Sequence, residues 1–321
     1  MNIRDRKALK QAAAGHLQSA SYDPRKLTLL HRGLIVGLSL LISLISLGLD
    51  EGIASTGGLS GIGARNLLLT AQTALQMGQL LLTPFWQLGI LFAFLNIIRK
   101  QYAAPNSLLR GFVRFGPALR LMTLEMLVIM SLSFIISYIS SFVALPFSGK
   151  LMELMEPIVI EMQTNPNFDP TAMMELPMET LLPAAAPILI VFFILYGAAV
   201  AYFGLRMRFA DYLILDDPKI GAFQAMGRSF RLTKGNIWAL IRLDLSFWLY
   251  YLLQGVAMGV SMLQLFTPAF NLPIPEQVTG ILIYLVFCAI VLATDWFLRP
   301  MVEATYALAY HTLKEEHYPT E

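Results

Sequence analysis

Six apolar runs, each about as long as a bilayer is thick, constrain the fold of this chain more than any other feature. They cover residues 33–49, 80–98, 119–145, 187–205, 237–265 and 278–298. A helix of about 20 apolar residues crosses the hydrocarbon core of a membrane. Lipid cannot hydrogen-bond an exposed backbone, so each run is expected to be helical. The sequence therefore predicts an all-α, polytopic bundle of six transmembrane helices.

The composition supports a membrane protein and gives little sign of catalysis. Charged residues make up 14% of the chain and hydrophobic residues 56%, whereas soluble domains are about 25% charged. Cys288 is the only cysteine, which excludes a disulfide framework within the chain. The four histidines lie near the two ends without metal-ligand spacing, and no nucleophile, phosphate-loop or dinucleotide motif occurs. We therefore expect no enzyme activity, no cofactor and no metal site.

The basic residues predict the orientation of the bundle. Of the 23 lysines and arginines, 21 lie in the N-terminal segment, in the second and fourth connections, or after the last span. Only Arg65 and Lys150 lie in the other connections. Because basic loops stay in the cytoplasm, both termini are predicted to be cytoplasmic. Nucleic-acid binding is not expected, since this topology already accounts for the basic residues.

The chain is interpreted as one integral membrane domain, residues 1–321. It comprises a cytoplasmic N-terminal segment (1–32), an acidic outer loop (146–186), a cytoplasmic helical segment (206–236) and a cytoplasmic tail (307–321). The outer loop opens with apolar residues at helical spacing, which predicts a short amphipathic helix at the outer interface. These apolar positions are Leu151, Leu154, Met155, Ile158 and Met162.

Ionisable residues inside predicted spans are functional candidates, because they are costly in a membrane. They are Glu125, Arg242, Asp244, Asp295 and Arg299. Asp295 and Arg299 are four residues apart and can pair on one helix face. Glu125 could pair with Arg120 or with Arg242. This candidate polar network is either a structural belt of salt bridges near the cytoplasmic interface or a proton or ion relay.

A polar stripe follows the second span at helical spacing: Gln72, Gln76, Gln79, Thr83 and Gln87. Such a face should avoid lipid. Thr83 and Gln87 either line a water-accessible cavity or form ordinary hydrogen bonds between helices. Pro84 is expected to kink the helix within the stripe.

The connection before the fifth span predicts a basic amphipathic helix. Asp217 and Pro218 have the residue types of a helix start, and Gly235 that of a stop. An apolar stripe formed by Ile220, Phe223, Met226 and Phe230 lies between them, with Arg228, Arg231 and Lys234 on other faces. This pattern suits a helix that lies on the anionic inner leaflet, with these three cations as candidate membrane-surface contacts. It also suits a plain elbow between two spans.

The same region resembles a known family. "RMRFADYLILDDPKIGAFQAMGRSFRLTKGNIWALIRLDLSF" (residues 206–247) is similar to the signature of an uncharacterised bacterial integral-membrane family, domain of unknown function 975. The matching elements are Asp217-Pro218, Ala225 with Ser229, "LTKGN" and "LDLSF". "RDRKALKQAAAGHL" and "LGILFAFLNIIRKQYAAPNSLLRGFVRFG" also look like that family. The resemblance implies a helical protein of a bacterial cell membrane, and the family has no settled activity to add.

The leading hypothesis is a non-enzymatic, multi-pass protein of the cytoplasmic membrane. It would interact with anionic inner-leaflet lipids, with a protein partner, or with further copies of itself. The alternative is a small-solute transporter or channel that uses Thr83 and Gln87. A lipid-acting membrane enzyme is the third hypothesis, which the missing motifs disfavour.

Overall fold

The computed structural model of the chain describes residues 3–55, 62–145, 149–165, 178–263 and 276–318. Every regular element in these ranges is a helix, which confirms the all-α prediction. The α-helices are α1 (Arg6–Gln18), α2 (Pro24–Ser55), α3 (Ile62–Ile98), α4 (Arg110–Val113), α5 (Phe115–Ala144), α6 (Gly149–Thr164), α7 (Met178–Met207), α8 (Ala210–Asp216), α9 (Ala222–Thr233), α10 (Ile237–Leu245), α11 (Trp248–Met262), α12 (Glu276–Phe297) and α13 (Arg299–His317). A 3₁₀ helix, Pro105–Leu109, precedes α4.

Several helices are long and apolar enough to cross a membrane. Four continuous stretches qualify, namely Pro24–Ser46, Arg65–Ile98, Phe115–Val143 and Ala185–Asp216. Two further pairs qualify only when their helices are taken together, and each pair is bent at a short break. The bend is 68° between α10 and α11 and 50° between α12 and α13. The described residues thus hold four candidate spans, or six if each bent pair crosses once.

The fifth predicted span is not the continuous helix that the apolar run 237–265 suggested. It breaks at Ser246 and Phe247, where the backbone N–H groups turn back to carbonyls of the last turn of α10. The end of the chain also differs from a simple tail. Helix α13 continues to His317, and most of its residues from Arg299 to Leu313 are buried.

The chain divides into two compact units. The first unit comprises Met1–Met122 and Met207–Glu321, and the second comprises Thr123–Arg206. The interpretation of residues 1–321 as one domain stays a prediction. In the first unit α1, α2, α3, α9 and α12 all pack against α13. Its small residues Ala304, Ala307 and Ala309 are fully buried, which lets these neighbours approach closely.

The second unit contains most of α5, all of α6 and nearly all of α7. Large apolar side chains of α5 and α7 stay exposed, among them Phe134, Phe193 and Ile194. Exposure of this kind suits helices that face lipid. Helix α6 occupies the place of the helix predicted at the start of the outer loop. The side chains of Leu151, Leu154, Met155 and Ile158 lie outside the described part, as do residues 166–177 of that loop.

A close crossing of α3 with the segment 105–113 shapes the first unit. A Cβ atom added at Gly89 would overlap the carbonyl oxygen of Leu108, and one added at Gly111 would overlap the carbonyl oxygen of Phe85. The Phe85 ring stacks on Phe112 at 5.4 Å between centroids. Two glycines therefore allow the backbones to touch, and an aromatic stack fills the space beside them. Helix α3 continues through Pro84, which lies inside it.

Candidate functional site

The break between α12 and α13 holds a buried cluster of charges. The Asp295 carboxylate is fully buried and accepts hydrogen bonds from Arg32 Nε at 2.6 Å and from Arg299 Nη1 at 3.2 Å. Arg299, 3% exposed, also donates to Glu303 Oε1 at 3.1 Å. Thr28 of α2 donates its hydroxyl to the Asp295 carbonyl oxygen at 2.8 Å. This Asp295 cluster ties α2 to both helices of the bent pair.

Two uncharged side chains complete the shell of Arg299. Its Nη1 lies 3.1 Å from His31 Nδ1, and its Nη2 donates to Gln87 Oε1 at 3.0 Å. The cluster contains two arginines and two carboxylates, so its formal charges balance. A buried charge is tolerated when partners satisfy it in this way. The arrangement can fix four helices, α2, α3, α12 and α13, relative to one another without any added ligand.

A second cluster is centred on Asp244 at the end of α10. Arg208 donates two hydrogen bonds to this carboxylate, from Nη1 to Oδ1 at 2.6 Å and from Nη2 to Oδ2 at 2.9 Å. The Tyr306 hydroxyl also donates to Asp244, and it lies 3.1 Å from the Tyr251 hydroxyl. The guanidinium group of Arg208 lies over the Tyr306 ring, 4.6 Å from its centroid. A bidentate pair backed by a cation–π contact is a rigid join between α13 and the start of the broken span.

A third cluster is centred on Asp216 at the end of α8. Its carboxylate accepts from Arg99 Nη2 at 2.5 Å, from the Tyr310 hydroxyl at 2.9 Å and from Lys314 Nζ. The Tyr310 ring is itself buried and stacks on Tyr212 at 5.1 Å. The end of α3, the end of α8 and the last turns of α13 therefore meet at one carboxylate.

The residues proposed as one intramembrane network have different partners and surroundings in the structure. Asp295 and Arg299 lie together, but Asp244 belongs to a different cluster and pairs with Arg208. Arg242 has an exposed side chain on α10. Glu125 lies half-buried on α5 in the second unit. The candidate set thus contributes to two joins within the first unit.

Sequence reasoning missed the partners of these carboxylates. The hydropathy pattern places Arg208, Asp216 and Arg99 in cytoplasmic connections, because it assigns charged residues next to an apolar run to the loop that follows or precedes that run. One signal was present: Tyr306 and Tyr310 are four residues apart and share a helix face. Two tyrosines on one face of an otherwise small-residue helix require buried hydrogen-bond partners, and those partners are Asp244 and Asp216.

The polar stripe of α3 is used for contacts between helices. Gln79 donates from Nε2 to Ser39 Oγ on α2 at 2.6 Å. Thr83 donates to the carbonyl oxygen of Gln79 in its own helix at 2.9 Å. Gln87 accepts from Arg299 in the Asp295 cluster. Of the two interpretations of the Thr83 and Gln87 face, the Gln87 contact favours hydrogen bonding between helices, whereas Thr83 bonds within its own helix.

The basic segment before the fifth candidate span forms α9, but the predicted start of this helix is wrong. The helix begins at Ala222, after Gly221, and not at Asp217 and Pro218. Asp217 Oδ1 accepts the backbone N–H of Lys219 at 2.9 Å, so Asp217 closes a turn after α8 and does not cap the start of α9. The prediction that this helix stops at a glycine agrees with the structure. The helix ends at Thr233, and Gly235 has a φ of +81°, which favours glycine.

Helix α9 turns its small residues inward. Ala222, Ala225 and Ser229 are buried against the first unit, and the Ser229 hydroxyl accepts the backbone N–H of Phe209 at 3.2 Å. Phe223 is 72% exposed. The predicted apolar stripe is therefore divided: Ile220, which precedes the helix, is buried, whereas Phe223 is exposed.

The three candidate membrane-surface cations differ in their surroundings. Arg231 and Lys234 have exposed side chains. Arg228 lies 3.7 Å from Asp217 Oδ2 and 5.7 Å from the centre of the Tyr318 ring, so it already has partners within the chain. Trp238, on the first turn of α10, is 75% exposed. Together, Phe223, Arg231, Lys234 and Trp238 form what we call the α9 surface.

Comparison with known proteins gives a family and no activity. Residues 5–317 match the model of a family described as "Protein of unknown function (DUF975)". No curated protein and no solved structure matches the chain.

Proposed function

Because the chain belongs to the DUF975 family of proteins of unknown function, we propose a function from its own geometry: a non-enzymatic, multi-pass membrane protein that binds anionic lipids. The lipids are those of the cytoplasmic leaflet of a bacterial cell membrane. The apolar helices of the fold suggest residence in a membrane.

Six spans with both termini in the cytoplasm are the topology we propose. Counting each bent pair as one crossing gives six spans. An even number of spans puts both ends on one side, where 21 of the 23 basic residues then lie. The positive-inside rule assigns that side to the cytoplasm. In this orientation the α9 surface faces the inner leaflet.

The observation that carries the proposal is the composition of the α9 surface. Two large aromatic side chains, Phe223 and Trp238, are about three-quarters exposed in the same short segment as the exposed cations Arg231 and Lys234. Aromatic rings partition into the headgroup region of a membrane, and cations near it are attracted to anionic lipid. A protein that met only water on this side would expose these rings at a cost.

The test compares the lipid shell of two charge variants. The full chain is reconstituted in bilayers of phosphatidylglycerol and phosphatidylcholine, and the lipids retained on extraction are quantified. Each cation near the surface contributes about 1 kcal/mol. Arg231→Gln with Lys234→Gln should therefore lower the preference for phosphatidylglycerol roughly tenfold or more. Arg228→Gln should change it less, since Asp217 and Tyr318 already hold Arg228.

Arg65→Gln is the matched control, because Arg65 is an exposed arginine in a predicted outer connection. It should leave the preference unchanged. Equal enrichment of phosphatidylglycerol in the wild type, the double variant and the control would contradict the proposal.

Small-solute transport is a second candidate function, supported by the two broken helix pairs. Interrupted helices are a recurrent feature of transporter binding sites, and here each break lies beside a charged cluster. The distinguishing experiment places Thr83→Cys in a Cys288→Ala background and adds a water-soluble thiol reagent. Labelling in the membrane would favour a hydrated path. Protection is expected for the lipid-binding protein.

A further inference from the structure

A cleft lies between the start of α1 and the first turns of α10. It consists of two pockets of about 510 Å³ and 700 Å³ that share Arg4, Ala239 and Arg242. The smaller pocket is also lined by Gly235 and Trp238, and the larger by residues 5–7. We call it the α1/α10 cleft and define it by Arg4, Arg6, Lys7, Trp238 and Arg242.

The charge of the cleft is strongly positive. Three arginines and one lysine line it, against one carboxylate, that of Asp5. Asp5 has a structural task, since its Oδ1 accepts the backbone N–H groups of Lys7 and Ala8, both at 3.1 Å, and caps α1. Four cations converging on a concave surface attract an anion far more strongly than isolated surface cations do.

The two walls of the cleft are fixed to each other. Lys10 of α1 donates from Nζ to the carbonyl oxygen of Ser246 at 2.8 Å, and the same ammonium group lies 3.8 Å from the centre of the Phe247 ring. Ser246 and Phe247 form the break between α10 and α11. Leu9 and Ala13 of α1 are fully buried. Helix α1 is thereby held against the broken span, and the backbone segments that carry the cations are in place before any ligand arrives.

The shape of the guanidinium group favours phosphate among possible anions. Arginine presents a planar fork of N–H donors that matches two oxygens of a phosphate group. Arg4 and Arg242 come from opposite walls and line both pockets, so a phosphate group between them can meet donors from two sides.

Exposed apolar side chains follow the cleft residues along the chain. Trp238 and Arg242 are one helical turn apart on α10, and Leu245 and Trp248 follow with side chains 65% and 61% exposed. Exposed apolar side chains that follow a basic cleft at the start of a candidate span suit acyl chains below a headgroup.

We propose that the α1/α10 cleft is a phosphate-binding site, and that an anionic glycerophospholipid headgroup supplies the phosphate. The inference rests on the proposed function and adds to it a saturable site that shares Trp238 with the α9 surface but has its own cations. Arg4 and Arg242 hold the phosphate oxygens, Arg6 and Lys7 supply further positive charge, and Trp238 packs beside the glycerol region.

The test is a binding titration on the purified full chain in a non-ionic detergent. The probes are dihexanoylphosphatidylglycerol and inorganic phosphate, each measured by calorimetry and in competition. Hydrogen bonds to charged groups are strong enough that Arg4→Gln with Arg242→Gln should weaken phosphatidylglycerol binding about tenfold or more. Arg242→Lys should give an intermediate loss, because it keeps the charge and loses the fork. Arg65→Gln should bind like the wild type, and unchanged melting temperatures show that the variants are folded.

The competition arms identify the source of the phosphate. Displacement of the lipid by millimolar phosphate supports phosphate recognition with the lipid as the tighter ligand. Phosphate binding as tightly as the lipid supports the site but assigns it to a soluble phosphate compound. The inference is overturned if the double variant binds phosphatidylglycerol like the wild type, or if an oligoglutamate peptide competes and phosphate does not.

The proposed function and this inference fail in different ways. If the wild-type chain shows no enrichment of phosphatidylglycerol in bilayers, the proposed function is contradicted. Enrichment that persists while Arg4→Gln with Arg242→Gln leaves the titration unchanged would contradict the cleft alone.

Discussion

The carboxylate of Asp295 pairs with two arginines at once, Arg32 and Arg299, and is fully buried. Asp295→Ala would leave both guanidinium groups without this partner, and removal of one partner from a buried pair costs about 3–5 kcal/mol. We expect the free energy of unfolding, measured by denaturing detergent in mixed micelles, to fall by that amount.

Asp217→Asn is the control for this substitution. Asp217 forms a partly exposed pair with Arg228 at 3.7 Å, and an asparagine can still accept the backbone N–H of Lys219. Exposed ion pairs contribute at most about 1 kcal/mol. Losses of equal size for the two variants would show that the Asp295 cluster is not the main join between α2 and the bent pair.

Because of His16, the stability of the folded chain should depend on pH. Burial, and then the nearby charges of Lys100 and His311, hold the pKa of His16 below its ordinary value of about 6.5. Its Nδ1 is buried without a hydrogen-bond partner among the described residues. The folded chain therefore binds fewer protons at this site than the unfolded chain, so stability is retained above about pH 6.5 and falls as the pH drops below it.

His16→Gln should remove part of this acid sensitivity. The measurement is the melting temperature of wild type and variant between pH 8 and pH 5, over roughly the range in which histidine titrates. The wild type should lose more stability on acidification than the variant. Parallel curves for the two proteins would show that His16 makes no contribution.

At the scale of elements, the crossing of α3 with the segment 105–113 depends on the absence of two Cβ atoms. An alanine at Gly111 would push its Cβ into the carbonyl oxygen of Phe85, and backbone atoms cannot move aside as a flexible side chain can. We expect Gly111→Ala to cost about 1–3 kcal/mol or more. The free energy of unfolding in mixed micelles measures this loss.

Gly116→Ala is the matched control for the crossing. Gly116 lies in α5, five residues from Gly111, and nothing is within 4 Å of a Cβ atom placed there. Gly116 is the second residue of α5 and precedes Pro117, so alanine there should change the stability by less than about 1 kcal/mol. A Gly111→Ala variant as stable as the control would mean that the two backbones do not touch.

The helix breaks show where prediction of elements from sequence stopped. Residues 237–265 form an unbroken apolar run, and neither Ser246 nor Phe247 is a strong helix breaker. The bend arises from tertiary contacts, since Lys10 binds the freed Ser246 carbonyl and Phe247 packs beside Tyr306. Such contacts join residues that are far apart in the sequence, so the hydropathy pattern cannot predict them. The start of α13 did leave one signal, because Pro300 suits the first turn of a new helix.

At the scale of the whole molecule, the sequence predicted the helices well and their joins poorly. Apolar runs are local features, and the candidate spans overlap all six of them. The choice of partner is not local. The i,i+4 pair of Asp295 and Arg299 could be anticipated from spacing, whereas the pairing of Asp244 with Arg208 joins residues 36 positions apart. The α1/α10 cleft could not be foreseen at all, since its walls are more than 200 residues apart.

At the same scale, the proposed topology places the termini and the basic surfaces together on the cytoplasmic side, and the proposed function depends on this placement. Cysteine accessibility in intact cells tests it directly. Cys288→Ala removes the only native thiol, and single cysteines are then placed at exposed positions by Asn66→Cys, Lys219→Cys and Glu316→Cys.

An impermeant maleimide should label the Asn66→Cys protein in intact cells, whereas the Lys219→Cys and Glu316→Cys proteins should be labelled only after lysis. Lys219 and Glu316 found on opposite sides would contradict the six-span topology, and labelling of Lys219→Cys in intact cells would remove the α9 surface and the α1/α10 cleft from the anionic inner leaflet.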